Sequence, residues 1–185
     1  MKQLILASQS PRRAKILESL NIPFEIVKTD ALETSFPNDP ARTVRENAAN
    51  KLSACKENHP SSPILAADTI VWYNDKIYGK PCDLNEARQM LKELSGQTHI
   101  VFTGVAYTSG DGIIQTKVCK SSVTFKTLSD ELIEEYVEST KPTDRAGAYD
   151  IDENGDKLIE RFDGEYEHIM GLPVEPLKEF SLCND

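Results

Sequence analysis

SPILAADTIVWY, residues Ser62 to Tyr73, decides the fold: it is a long apolar run between turn formers, interrupted by a single carboxylate, Asp68. Its length and its β-branched and aromatic content predict a strand buried on both faces at the centre of a sheet. A carboxylate in such a run has to be hydrogen-bonded, paired or bound to a cation, because burying it bare costs far more than a strand can return. Two readings of Asp68 follow. It is a functional group, or it is one half of a structural ion pair at a strand end.

Outward from that strand, elements alternate. On the N-terminal side, Gln3 to Ala7 is a short apolar run, followed by Ser10-Pro11, a preferred N-cap and a first-turn proline, ahead of a helix carrying Ala14, Ile16, Leu17 and Leu20. Pro23 to Val27 reads as a second strand, 28–38 as a polar loop with Asp30 and Glu33, and Pro40 to Asn58 as a helix on the spacing Val44, Ala48, Leu52, Cys55. On the C-terminal side, Asn74-Asp75-Lys76 reads as a turn, and Asp83 to Glu86 has a capping-box pattern opening a helix that ends at Ser95-Gly96. Thr98 to Thr108 and Ile113 to Lys126 are extended and joined by Ser109-Gly110-Asp111-Gly112, a hairpin signal. Helices at Ser129–Glu138 and Pro176–Leu182 complete the set. Strands alternating with helices and then a hairpin predict an α/β protein with a mixed-direction central sheet and flanking helices, one domain over residues 1–185.

The chain of 185 residues carries 21 basic and 30 acidic side chains, a net charge of −9, so its surface repels polyanions and nucleic acid is not an expected partner. The apolar start is too short for a signal peptide or a membrane span, and Cys55, Cys82, Cys119 and Cys183 form no CxxC pair. The expectation is a cytoplasmic chain with reduced thiols and no membrane partner. His59, His99 and His168 lack ligand spacing, and no P-loop, dinucleotide or nucleophile-elbow motif occurs. Any nucleophile is then water.

Against that acidic background, clustered cations point to an anion. Ser8-Gln9-Ser10-Pro11-Arg12-Arg13 places two arginines in the first turn of a helix, where the free amides and the dipole favour an anion and disfavour a cation. Two solvated arginines behind an ordinary cap is the plain alternative. Lys80, in Tyr78-Gly79-Lys80-Pro81, is a point-charge phosphate contact or a residue of an ordinary turn. Lys51, near the apolar side of its helix, carries the same ambiguity.

Taken together, Leu6 to Arg13, Ala67-Asp68-Thr69, Gly79-Lys80-Pro81, Leu94-Ser95-Gly96, Ala146 to Tyr149 and Gly171-Leu172-Pro173 resemble the Maf family of nucleoside triphosphate pyrophosphatases, in order along almost the whole chain. The resemblance implies a fold related to inosine triphosphatases, with two lobes around a cleft. It also implies hydrolysis of a nucleoside triphosphate to monophosphate and pyrophosphate with a divalent cation, Mg2+ or Mn2+. Asp68 matches the family's proposed general base; Ser8, Arg12, Arg13, Glu33, Lys51 and Lys80 match its polar cleft residues. A triphosphate's charge would be met by Ser8, Arg13, Lys51 and Lys80, while Asp68 with Glu33 or another carboxylate would hold the metal and prepare the water. A homodimer enters by analogy alone.

Members that prefer dTTP and UTP carry Arg, Thr and Gln at three positions tied to base choice. Arg12 and Thr69 match; Asp152 stands where glutamine is expected. An aspartate accepts but does not donate, so the third position reads a base differently from an amide. The alternatives to dTTP and UTP are 7-methyl-GTP or other modified nucleotides, and a non-catalytic nucleotide-binding regulator of cell division, which turnover distinguishes.

Overall fold

The order of elements is β1 (Leu4–Leu6), α1 (Pro11–Ser19), β2 (Phe24–Ile26), α2 (Pro40–Asn58), β3 (Ile64–Tyr73), β4 (Lys76–Tyr78), α3 (Leu84–Leu94), β5 (Thr98–Thr108), β6 (Gln115–Phe125), α4 (Asp130–Thr140), a 3₁₀ turn at Ala146–Ala148, α5 (Gly155–Leu158), β7 (Ile159–Asp163), α6 (Tyr166–Met170) and α7 (Val174–Glu179). These come from a computed structural model, which describes residues 3–183. The strands form one sheet in the order β2-β1-β3-β5-β6-β7, with β4 paired to β3. β1 runs parallel to β2 and β3, and the other pairings are antiparallel. The mixed direction expected from the sequence is the one observed.

β3 is the strand around which the rest is arranged. β5 pairs with it from Ile64 to Trp72 on one edge. On the other edge β1 pairs only at Ile64 and Leu65, and β4 only from Val71. Between them, on that edge, 66–70 have no strand beside them among the described residues, which leaves a notch in the sheet edge. Asp68 and Thr69, pointing to opposite faces by the alternation of a strand, both border it.

The two faces pack differently. On one, Leu65, Ala67, Val105 and Tyr107 join α1 and the C-terminal segment in an apolar cluster, while Val71 and Val101 belong to a second cluster with α3 and α4. The register places Thr69 opposite Thr103 between those clusters, and their hydroxyls lie 2.9 Å apart. On the other face, Ala48, Leu52 and Cys55 of α2 cover Ile64, Ala66 and Ala106. Here α2 lies against the sheet at Gly104, the partner of Asp68. A Cβ at Gly104 would fall 2.2 Å from the Val44 carbonyl oxygen, so only glycine admits the helix this close.

Several local expectations change. Ser10 begins α1 but its side chain makes no capping bond; its own N–H donates to Ser8 Oγ at 3.2 Å. Asn74 and Asp75 form the turn expected there, and Lys76 already belongs to β4, paired with Tyr73 of β3. The final helix is Val174–Glu179, which starts and ends before the range read from the sequence. β7 was not expected: it is an edge strand with four of its five residues exposed, so no inward alternation marks it. No disulfide joins any two of the four cysteines, and among the described residues no helix is long and apolar enough to cross a membrane.

Candidate active site

A cleft of about 360 Å3 opens at the notch, lined from β1 through the first turn of α1, from β3, and from the segment 144–150. Ser8, Arg12, Arg13, Glu33, Lys51, Asp68, Thr69 and Lys80 all line it. Asp152 does not. Its carboxylate lies outside, 3.2 Å from Lys15 Nζ and 3.3 Å from the Tyr166 hydroxyl that donates to it.

Asp68 sits on a strand whose neighbours are apolar, so its charge needs partners within reach, and α2 supplies them. Asn47 and Lys51, four residues apart, lie on the same side of the helix as Val44, which rests on Gly104. Asn47 Nδ2 donates to Asp68 Oδ2 at 3.1 Å, and Lys51 Nζ to Asp68 Oδ1 at 2.5 Å. Lys51 also reaches Glu33 Oε1 at 2.7 Å. Glu33 is brought in by its loop, because Thr34 N–H donates to Asn47 Oδ1 at 2.8 Å and Phe36 N–H to Thr43 Oγ1 at 3.0 Å. Burial alone would raise the Glu33 pKa; the hydrogen bond and charge of Lys51, with Lys80 and Arg13 further off, outweigh it and hold the carboxyl below its usual range.

The two first-turn arginines part company. Arg13 is buried and makes three bonds to neutral acceptors: Nε to the Gly171 carbonyl at 2.8 Å, Nη1 to Ser8 Oγ at 3.0 Å and Nη2 to Thr69 Oγ1 at 3.1 Å. Burial pulls its pKa down to about 10, countered by Asp68, so it stays protonated at neutral pH. Arg12 turns the other way and meets the protein's own carboxylates, Asp144 Oδ2 at 3.1 Å and Asp150 Oδ2 at 3.5 Å. The first-turn charge at Arg12 is thus relieved from within the chain. Lys80, exposed after β4, makes no hydrogen bond or ion pair within the described residues.

Four residues that sequence reasoning passed over complete the site. Asn47 resembles any polar helix residue, although it falls three after Val44 and four before Lys51. Arg145, Asp144 and Asp150 lie in an irregular stretch around Gly147, whose φ of 67° marks the turn. Arg145 is buried and donates from Nη2 to Glu153 Oε2 at 2.5 Å, with Nε 3.2 Å from Asp144 Oδ1. The signal was present in Asp144-Arg145 directly ahead of Ala146-Gly147. It carried no pattern that distinguishes a cleft wall from a surface loop.

The cleft is therefore polar along its length and uneven in charge. Among the lining residues Arg13, Lys51 and Lys80 outnumber Glu33 and Asp68, whereas Arg12 and Arg145 are balanced by Asp144 and Asp150, with which they pair. This layout can draw a polyanion to the unbalanced cations and leave the paired charges around Asp150 to meet an uncharged group. The family model for Maf-like proteins matches residues 3–181.

The chain belongs to the Maf family. Among its Maf relatives, the dTTP/UTP pyrophosphatase of Bacillus cytotoxicus is 43% identical over 185 residues, covering 97% of this chain and 96% of that protein. The dTTP/UTP pyrophosphatase of Thermosipho melanesiensis is 44% identical over 171 residues, covering 92% of each. The solved Ham1 protein of Staphylococcus aureus overlays on 70% of this Maf chain and 73% of its own, at 17% identity and a TM-score of 0.48, a likeness too loose to bear on the site.

Proposed function

We propose that this Maf protein hydrolyses a nucleoside triphosphate, dTTP and UTP foremost, to the monophosphate and pyrophosphate, with a divalent cation. The observation that carries the reading is the convergence of Arg13, Lys51, Lys80 and the Ser8 hydroxyl beside one buried carboxylate, Asp68, at the opening of a helix. The names of its close relatives support the same substrates.

The donor set fits a hard cation. Glu33 and Asp68 already share one positive charge, the Lys51 ammonium, so two carboxylates converge on a single cation position. Among the described residues no cluster of three or more histidines, cysteines or carboxylates occurs, so the two would leave other positions to water and phosphate oxygens, the habit of Mg2+. When bound, Mg2+ or Mn2+ would supply charge neutralisation on the triphosphate and lower the pKa of water.

The chain's own groups do the rest. The amides that open α1, with Arg13 held in place by Ser8, Thr69 and Gly171, receive phosphate oxygens. Lys51 and Lys80 add charge against the leaving pyrophosphate. Asp68, oriented by Asn47, accepts a proton from a water as that water's oxygen bonds to the α-phosphorus. The bond from the α-phosphorus to the bridging oxygen breaks, and its electron pair departs on pyrophosphate.

The test is incubation with Mg2+ or Mn2+ and a panel of dTTP, UTP, CTP, GTP and 7-methyl-GTP, with pyrophosphate and monophosphate both measured. Equal amounts of the two products from dTTP and UTP are expected. Release of inorganic phosphate and a diphosphate, or binding without turnover, would overturn the reading.

A further inference from the structure

We propose that Asp150, flanked by Arg12 and Arg145, is the residue that reads the base, and that it selects the imide edge of uracil and thymine. This rests on the reading of the cleft as a nucleoside triphosphate site. Asp150 is 6% exposed and lines the cleft, and no lysine pairs with it among the described residues. Its backbone is fixed by an N–H donated to the Tyr136 hydroxyl at 3.0 Å. One carboxylate oxygen, Oδ1, accepts the Asp152 N–H at 2.9 Å, which sets the plane of the group.

The other oxygen, Oδ2, receives no hydrogen bond from the described residues. The cations beside it are Arg12 Nη1 at 3.5 Å and Arg145 Nε at 4.0 Å, ion-pair distances that leave room for a ligand hydrogen. Oδ2 belongs to a buried residue of the cleft wall and is not itself among the sealed unpartnered polar atoms, so a donor from outside the chain can reach it. By contrast, the Asp152 carboxylate is already engaged by Lys15 and Tyr166 beyond the cleft.

Chemistry then narrows the base. A carboxylate only accepts and a guanidinium only donates, so Asp150 between two arginines offers donor, acceptor, donor. Uracil and thymine present the complement at that edge: a carbonyl, the N3–H, and a second carbonyl. Cytosine places an unprotonated ring nitrogen where the N–H should be, opposite a negative oxygen. Guanine has the ring N–H but sets an amino group against an arginine. Sites built to meet a substrate N–H reject analogues that lack it, because the buried acceptor is left unpaired.

The experiment measures kcat/KM for UTP and CTP with Mg2+ for the wild-type chain, Asp150→Asn and Asp152→Ala. Asp150→Asn keeps the oxygen that accepts from Asp152 N–H, so the local turn is retained. The expected result is a UTP-to-CTP ratio lower by about ten- to hundredfold in Asp150→Asn, the worth of one hydrogen bond to a charged group. An unchanged ratio there, or a shift of that size in Asp152→Ala instead, overturns the proposal while leaving the pyrophosphatase reading intact. A wild-type chain that turns over no triphosphate would instead sink the pyrophosphatase reading. A second arm needs neither turnover nor variants: calorimetric binding of uridine, cytidine and N3-methyluridine monophosphates to the wild-type protein. Uridine monophosphate should bind at least about tenfold more tightly than the other two, and equal affinity, or no binding of any, overturns the base assignment.

Discussion

Gly104→Ala tests whether the contact of α2 with the sheet is what assembles the site. The added Cβ would fall 2.2 Å from the Val44 carbonyl oxygen and 2.8 Å from the Arg45 nitrogen, both backbone atoms that no rotamer change can move. Real Cβ atoms do not approach closer than about 3.0 Å, so helix and strand must separate by at least about 0.8 Å. Asn47 and Lys51 ride on that helix and hold Asp68 at 3.1 and 2.5 Å, and a shift of this size breaks the first bond and lengthens the second. Overpacking of this kind costs about 1–3 kcal/mol, a fall in melting temperature of roughly 2 to 12 °C for a chain of this size, so the protein should still fold. Misplacing a reacting group by about 1 Å costs on the order of 10²-fold in rate. The expected outcome is a folded variant with kcat/KM for UTP down about a hundredfold, read by pyrophosphate release alongside thermal denaturation. A variant that melts lower yet keeps wild-type turnover would refute the claim that α2 positions Asp68.

Other consequences can be measured separately. Asn47→Ala removes the donor to Asp68 and the acceptor of Thr34 N–H, and should cost about 2–4 kcal/mol in urea unfolding while making the loop around Glu33 easier to cleave by protease. Asp68→Asn should lower turnover by about 10² to 10⁴ with the melting temperature within a few degrees of wild type; full turnover would remove Asp68 as the base. Burial pushes the pKa of His99 down to about 3 and that of His168 to about 4, so both stay neutral in the fold while the unfolded chain protonates them near its ordinary value of about 6.5. The unfolded state then binds more protons, stability falls as pH drops from about 6.5 toward 4, and the slope near pH 5 should be about 2.5 kcal/mol per pH unit in urea titrations. A flat profile there would mean the two rings are not buried as described.

The parts legible in the sequence were those where one residue violates its surroundings. Asp68 inside an apolar strand and two arginines at the start of α1 both break a local preference, and both line the cleft. The central strand and the hairpin were legible because their apolar content has a period or a length of its own. Asn47 was hidden because its partner, Asp68, is 21 residues away and reaches it only through the contact at Gly104. Gly104 itself, a small residue within a long β5, gave no sign that a helix backbone rests on it. Asp144, Arg145 and Asp150 were hidden for another reason: they sit in irregular backbone, where charged residues are ordinary and only a tertiary fold shows which of them face inward.

The role read from sequence for the first-turn arginines also divides once geometry is known. Arg13 is fixed by three neutral acceptors and keeps its charge for a ligand, whereas Arg12 spends part of its charge on Asp144 and Asp150. Helix periodicity turns adjacent residues about 100° apart, and this sends the two guanidinium groups to different partners in one cleft.

The most direct measurement is hydrolysis of UTP in ¹⁸O-labelled water with Mg2+, followed by mass analysis of the products. Attack on the α-phosphorus by a water that Asp68 deprotonates predicts one label in UMP and none in pyrophosphate. Label in pyrophosphate, or release of labelled inorganic phosphate with UDP, would contradict it.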